Sequence, residues 1–135
     1  DFATLLKDSD FITIHLPLTQ ESRKMISREQ IALMKDGVRI INCARGGIIC
    51  EQALHEALVA GKVSGAALDV FEQEPKVDSP LFGLDNMIVT PHLGASTKEA
   101  QINVAIEVCE DVLGILQGAE PQNAVFKLPT TSKTA

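Results

Sequence analysis

Ser27-Arg28-Glu29-Gln30-Ile31-Ala32-Leu33-Met34, then Gly37, then Val38-Arg39-Ile40-Ile41-Asn42 carries a helix signal directly into a strand signal. Ser27 and Gln30 stand at capping-box spacing before an apolar run, and Gly37 supplies a stop, so a short helix is expected. Val38 to Asn42 is apolar and β-branched in the manner of a strand. The same alternation recurs outward in both directions. Phe11-Ile12-Thr13-Ile14-His15, Ala66-Ala67-Leu68-Asp69-Val70 and Met87-Ile88-Val89-Thr90 are further strand candidates, and about Glu51 to Ala60, closed by Gly61, is a second helix. Strand, helix, strand at this spacing implies crossover connections and a parallel sheet, hence an α/β fold. Phe71 to Asn86 contains Pro75, Pro80 and Gly83 and reads as a loop with little regular structure.

Beyond the last strand, Ser96-Thr97-Lys98-Glu99 is another capping box and opens the longest helical pattern, which ends near Gly118. Ala100, Val104, Val108, Val112 and Ile115 follow one stripe, while Ile102, Ile106, Leu113 and Leu116 lie elsewhere around the helix. Burial on more than one side is expected. From Pro121 to Ala135 the chain turns polar after Val125 and Phe126, and disorder is expected in its last few residues.

Composition narrows the function classes. In 135 residues, 45% are hydrophobic, the net charge is −6, and the aromatics are five Phe with no Trp or Tyr. An acidic chain without a basic stripe is a poor fit to nucleic acid, so none is expected as a partner. No run approaches the ~20 apolar residues that span a bilayer, and no basic-then-apolar leader opens the chain. A protein of the cytoplasm, without membrane association, is the expectation. Cys43, Cys50 and Cys109 show no metal-ligand spacing; no metal is expected, and each reads as a reduced, small, buried hydrophobe.

Three residues carry the chemistry. Arg45, Glu74 and His92 each follow a strand-like run. Arginine can hold a substrate carboxylate through two parallel charge-assisted hydrogen bonds, histidine can move a proton near neutral pH, and a carboxylate can orient and charge the imidazole. Together they suit redox chemistry on a 2-hydroxy acid. Their neighbours support the reading: Pro91 and Pro75 restrict the backbone around His92 and Glu74, and Gly46 and Gly47 would clear space for a ring or ribose. Singly, Arg45 could be an ion-pair partner, Glu74 a solvated carboxylate and Asp69 a turn cap; their order along the chain favours a site. His15 and His55 read as surface or capping residues. Arg23, Lys24, Arg28, Lys35 and Arg39 form no compact patch and read as solvated.

Asn42-Cys43-Ala44-Arg45-Gly46-Gly47, then Ala67-Leu68-Asp69-Val70-Phe71 leading to Glu74-Pro75, then Pro91-His92-Leu93-Gly94-Ala95-Ser96-Thr97 together resemble the NAD-dependent, D-specific 2-hydroxy acid dehydrogenases. The stretch from Pro91 to Gln101 is most similar to the phosphoglycerate dehydrogenase branch, which opens serine synthesis. The resemblance implies the second half of a Rossmann-like, doubly wound parallel sheet over residues 1–95. Residues 96–118 would be a crossover helix toward a substrate domain, and 119–135 a return segment and polar tail. No G-x-G-x-x-G occurs and the chain does not start with Met, so a fragment lacking an upstream half is expected.

By the same resemblance, Arg45 would bind the substrate carboxylate, His92 would be the acid–base, and Glu74 would orient and charge it. Leu16, Pro17, Cys43 and Ala44 would line the NAD site with Arg45, Asp69 would face the nicotinamide carboxamide, and His92, Gly94 and Ala95 would close over the ring. Leu16 stands where many relatives have Thr, and Cys50 where they usually have Asp or Asn, a loss of N-cap costing about 1 kcal/mol. The implied activity interconverts a 2-hydroxy acid and its 2-oxo acid, 3-phosphoglycerate first, with a small-molecule substrate and a homo-oligomeric complete protein. The alternatives are a glyoxylate or hydroxypyruvate reductase, or a non-enzymatic, corepressor-like protein that senses NAD.

Overall fold

The structure, a computed structural model, describes residues 1–126. Most of the polar tail, and the disorder expected in it, therefore lies outside the described residues. Two compact units are present, Asp1–Gly94 and Ala95–Ala135.

The first unit is built on four strands, β1 (Phe11–Ile14), β2 (Val38–Asn42), β3 (Val63–Leu68) and β4 (Met87–Val89). They lie in the order β1-β2-β3-β4, and every neighbouring pair is parallel. Register aligns Ile12 with Ile40 and Ile40 with Ala66. That row is buried, whereas Phe11, Thr13 and Arg39 on the opposite side are exposed. One sheet face thus carries the core, with Ile14, Val38 and Leu68 beside Leu54, Leu58 and Ile31 from the helices. On the other face the Arg39 guanidinium sits 5.3 Å from the Phe11 ring centroid.

The helices of this unit are α1 (Phe2–Asp8), α2 (Arg28–Leu33) and α3 (Glu51–Val59). No sequence signal had marked α1; Asp1 caps it by accepting from the Thr4 backbone N–H at 2.8 Å. At the start of α2 the expected pairing is present, with the Ser27 N–H donating to Gln30 Oε1 at 3.2 Å. The helix ends at Leu33, before Gly37, because Met34 is already extended; Gly37 (φ 82°) instead shapes the turn into β2. Gly61 does close α3 as expected, with φ 75°. The third strand begins and ends earlier than its sequence suggested: Val63 pairs with Val38 and Gly65 with Arg39, with a register shift between them at Ser64. The 71–86 loop holds one 3-10 turn, Pro80–Gly83.

Arg28, Lys24 and Lys35 are exposed, as the sequence suggested, and each also meets a surface carboxylate: Arg28 holds Glu56 through two hydrogen bonds of 2.6 Å, tying α2 to α3 and drawing the Glu56 carboxyl down to about 2. Lys24 and Lys35 lie 3.6 and 3.0 Å from Glu72 and Asp10. One sequence reading needs correction. The cysteines are not core residues, for Cys43 and Cys109 are exposed and Cys50 is only half-buried.

In the second unit, α4 (Lys98–Leu116) starts one residue later than its capping box implied, since Thr97 accepts from the Ala100 N–H. Gly118, at φ 91°, follows its end. None of its residues is buried. No described helix is long and apolar enough to cross a membrane.

Candidate active site

The carboxyl ends of the four parallel strands all point to one edge, where ligands of open α/β sheets bind. Leu16 and Pro17 leave β1 there, Cys43, Ala44 and Arg45 leave β2, Asp69 leaves β3, and His92 and Gly94 leave β4. Two of these turns are held by a buried polar side chain.

Asn42 is 2% exposed and fixes the Arg45 turn. Its Nδ2 donates to the Arg45 carbonyl at 2.9 Å, and its Oδ1 accepts from the Ala44 N–H at 3.1 Å. The Arg45 guanidinium itself is exposed, with Nη1 donating to the Ala44 carbonyl at 2.6 Å. It has no carboxylate partner among the described residues, as an anion-binding cation requires.

Asp69, 5% exposed, does the same for the turn carrying His92. Its Oδ1 accepts from the Thr90 hydroxyl and, at 2.7 Å, from the Leu93 N–H; its Oδ2 accepts from the Gly94 N–H at 3.0 Å. Burial pushes the Asp69 carboxyl up, but these three hydrogen bonds together outweigh it and hold it below the ordinary value. They also sustain an unusual backbone: His92 has φ 57°, a left-handed conformation costing a side-chain-bearing residue on the order of 1 kcal/mol. The sequence points to Pro91 as the aiming device, but the larger share of that work falls to Asp69.

Glu74 reaches the imidazole directly. Its Oε2 lies 2.7 Å from His92 Nδ1, and its Oε1 accepts from the Phe71 N–H at 2.8 Å. The hydrogen bond to His92, followed by that from Phe71, holds the Glu74 carboxyl below its ordinary value. Phe71, three residues before Glu74, went unnoticed as a partner although the spacing is that of a side chain folding back on a local N–H. Its carbonyl also explains Gly46. A Cβ at Gly46 would fall 1.8 Å from the Phe71 oxygen, so this glycine admits neighbouring backbone and not a ring or ribose. Gly47 has φ 80° and lies beside Leu18 and Arg23.

Arg45, Glu74 and His92 line one cleft of ≈ 270 Å³ with Leu18, Gly46 and Phe71. A second cavity, of ≈ 540 Å³, borders Glu74 and His92 with Phe71, Phe82, Pro91 and Lys76. The sequence gave no sign of Phe82, which meets Phe71 edge-on at 5.6 Å. Leu16, Pro17 and Cys43 are exposed at their strand ends, and Ala44 is half-buried. Ala95 opens the second unit, where its carbonyl accepts from Gln101 Nε2 at 2.8 Å. His15 is exposed and bonded to Thr13.

Residues 1–94 match the profile of the D-isomer specific 2-hydroxyacid dehydrogenase, NAD binding domain. The chain belongs to this family. It is 52% identical over 126 residues to D-3-phosphoglycerate dehydrogenase of Archaeoglobus fulgidus, covering 93% of this chain and 24% of that protein. Hydroxypyruvate reductase of Thermotoga maritima is 56% identical over 115 residues, covering 83% of this chain and 38% of that one. Among solved structures, D-lactate dehydrogenase with NAD+ from Lactobacillus jensenii superposes with a TM-score of 0.86 at 32% identity, over 93% of this chain and 42% of that one. The chain thus spans about a quarter of the length of the phosphoglycerate dehydrogenase. The family match and the four parallel strands agree on a Rossmann-like NAD-binding fold.

The residues present suit one end of that cofactor. Exposed Leu16, Pro17 and Cys43 offer surface at the strand ends where a nicotinamide ring could lie. The sequence holds no glycine-rich turn for the pyrophosphate.

Proposed function

We propose that the complete protein interconverts a 2-hydroxy acid and its 2-oxo acid with NAD, and that the acid is 3-phosphoglycerate. The observation that carries the reading is the 2.7 Å Glu74–His92 contact in a cleft shared with Arg45. Nicotinamide, when bound, supplies and accepts the hydride. With Nδ1 engaged by Glu74, His92 exchanges the proton of the substrate hydroxyl through Nε2. Glu74 keeps the ring oriented and sets its carboxylate against the charge the ring carries while it holds the proton for reduction. Arg45 grips the substrate carboxylate at two points and so presents the reacting carbon in one orientation. Leu16, Pro17, Cys43 and Ala44 would flank the nicotinamide with Gly94 and Ala95. Asp69 would hold the His92 turn against it and offer a carboxylate edge to the carboxamide.

The substrate choice rests on the phosphoglycerate dehydrogenase likeness, and hydroxypyruvate is the second reading, favoured by the Thermotoga maritima relative. Comparing kcat/KM of the complete protein for 3-phosphohydroxypyruvate, hydroxypyruvate and glyoxylate with NADH tests the choice. The phosphorylated acid should lead by at least about tenfold, a margin of ~1.4 kcal/mol. A preference for hydroxypyruvate or glyoxylate would replace it with the reductase reading.

A further inference from the structure

We propose that Glu51, in the first turn of α3, is a positioning residue that aims Glu74 at His92. Its carboxylate clamps the chain on both sides of Glu74: Oε1 accepts from the Glu72 backbone N–H at 2.7 Å, and Oε2 lies 3.2 Å from Lys76 Nζ. The two partners of this ion pair are 23% and 16% exposed, against 66% and 42% for Arg28 and Glu56, so solvent screens it less. Between the clamped residues, Gln73, Glu74 and Pro75 are all exposed, and the local tie of Glu74 is the hydrogen bond its Oε1 accepts from the Phe71 N–H. The aim of Glu74 therefore depends on how the flanking backbone is tied.

Lys76 adds a second reason. It lines the same cavity as Glu74 and His92, so its ammonium is a rival partner for the Glu74 carboxylate. Glu51 neutralises that rival. Removing the carboxylate would free the Glu72 N–H and release Lys76 to draw Glu74 away from the imidazole.

The catalytic consequence rests on the function proposed above; the geometric claim does not. The test uses the complete protein with nitrogen-labelled histidine, as wild type, E51A, E51Q and E74Q. The low-field resonance of the His92 Nδ1 proton, identified by its loss in E74Q, reports the hydrogen bond to Glu74 without any turnover. E51A should broaden it or move it upfield, and E51Q, which keeps an acceptor for Glu72 but frees Lys76, should move it part of the way. In turnover, E51A should lower kcat about tenfold with NADH affinity unchanged, and that loss should vanish in the E74Q background because both act through one contact. A wild-type resonance in both Glu51 variants, or an equal loss of kcat with and without Glu74, overturns the proposal. Absence of wild-type turnover on any 2-hydroxy or 2-oxo acid would instead refute the proposed function, and the resonance would still decide the role of Glu51. Should E51A fail to fold, an unmoved resonance in E51Q is the overturning result.

Discussion

Glu74 Oε2 and His92 Nδ1 lie 2.7 Å apart although 18 residues separate them in sequence. One follows β3 and the other β4, and parallel pairing of those strands, with Leu68 opposite Val89, sets their loops side by side. The contact is a consequence of the sheet register, and its chemistry can be tested residue by residue.

Glu74→Gln keeps an oxygen for the Phe71 N–H but removes the charge facing the imidazole. In the complete protein, kcat/KM for reduction should fall about tenfold while NADH affinity holds. An unchanged kcat/KM would remove the carboxylate from the proton-transfer step.

Arg45→Lys preserves charge and loses the planar two-point fork. The expected outcome is a drop in kcat/KM of about tenfold or more, with NADH affinity barely changed. Collapse of NADH binding alone, followed by fluorescence titration, would reassign Arg45 to the cofactor or the scaffold.

Asp69→Asn places an amide where the Gly94 N–H needs an acceptor. Losing charge-assisted hydrogen bonds in a site 5% exposed should cost on the order of 2 kcal/mol and speed amide exchange at Leu93 and Gly94. The pH dependence has a definite sign. Because the folded carboxyl is depressed, its contribution is present above the unfolded value near pH ~4 and is lost as pH falls through the folded one. Melting temperature should therefore decline more steeply below about pH 4 in the wild type than in D69N. Parallel curves would mean that the charge of Asp69 contributes nothing to stability.

Gly46→Ala and Gly47→Ala separate two kinds of glycine. The first would drive a methyl to 1.8 Å from the Phe71 oxygen and displace the segment that leads to Glu74; the second meets nothing closer than 3.7 Å but carries φ 80°. G46A should lose both stability, by roughly 1–3 kcal/mol or more, and catalysis. G47A should lose about 1 kcal/mol with catalysis largely kept. Equal losses in denaturant melts and kcat would contradict the close-approach account.

Much of this was legible in the sequence because it is local. Val38–Asn42 alternates and is β-branched, Gly61 punctuates, and Arg45, Glu74 and His92 stand in the order that the family motifs require. What escaped is tertiary. Gly65 reads as a breaker until a neighbouring strand pairs with it. Gly46 reads as space for a ligand until the Phe71 carbonyl arrives from 25 residues away. Asp69 gives no local sign that the amides of Leu93 and Gly94 will occupy it, and nothing at Pro91 announces the left-handed turn at His92 that those bonds flank. The apolar pattern of α4 shows what a helix could cover and not what covers it.

If His92 is the acid–base of a 2-hydroxy acid dehydrogenase, its removal should abolish most turnover. The assay follows NADH oxidation by the complete protein with 3-phosphohydroxypyruvate, comparing wild type with His92→Ala. Robust wild-type turnover is expected, with a loss of roughly 10²–10⁴-fold in kcat for H92A and NADH affinity retained. Wild-type rates in H92A, or no turnover of any 2-oxo acid by the wild type, would contradict it.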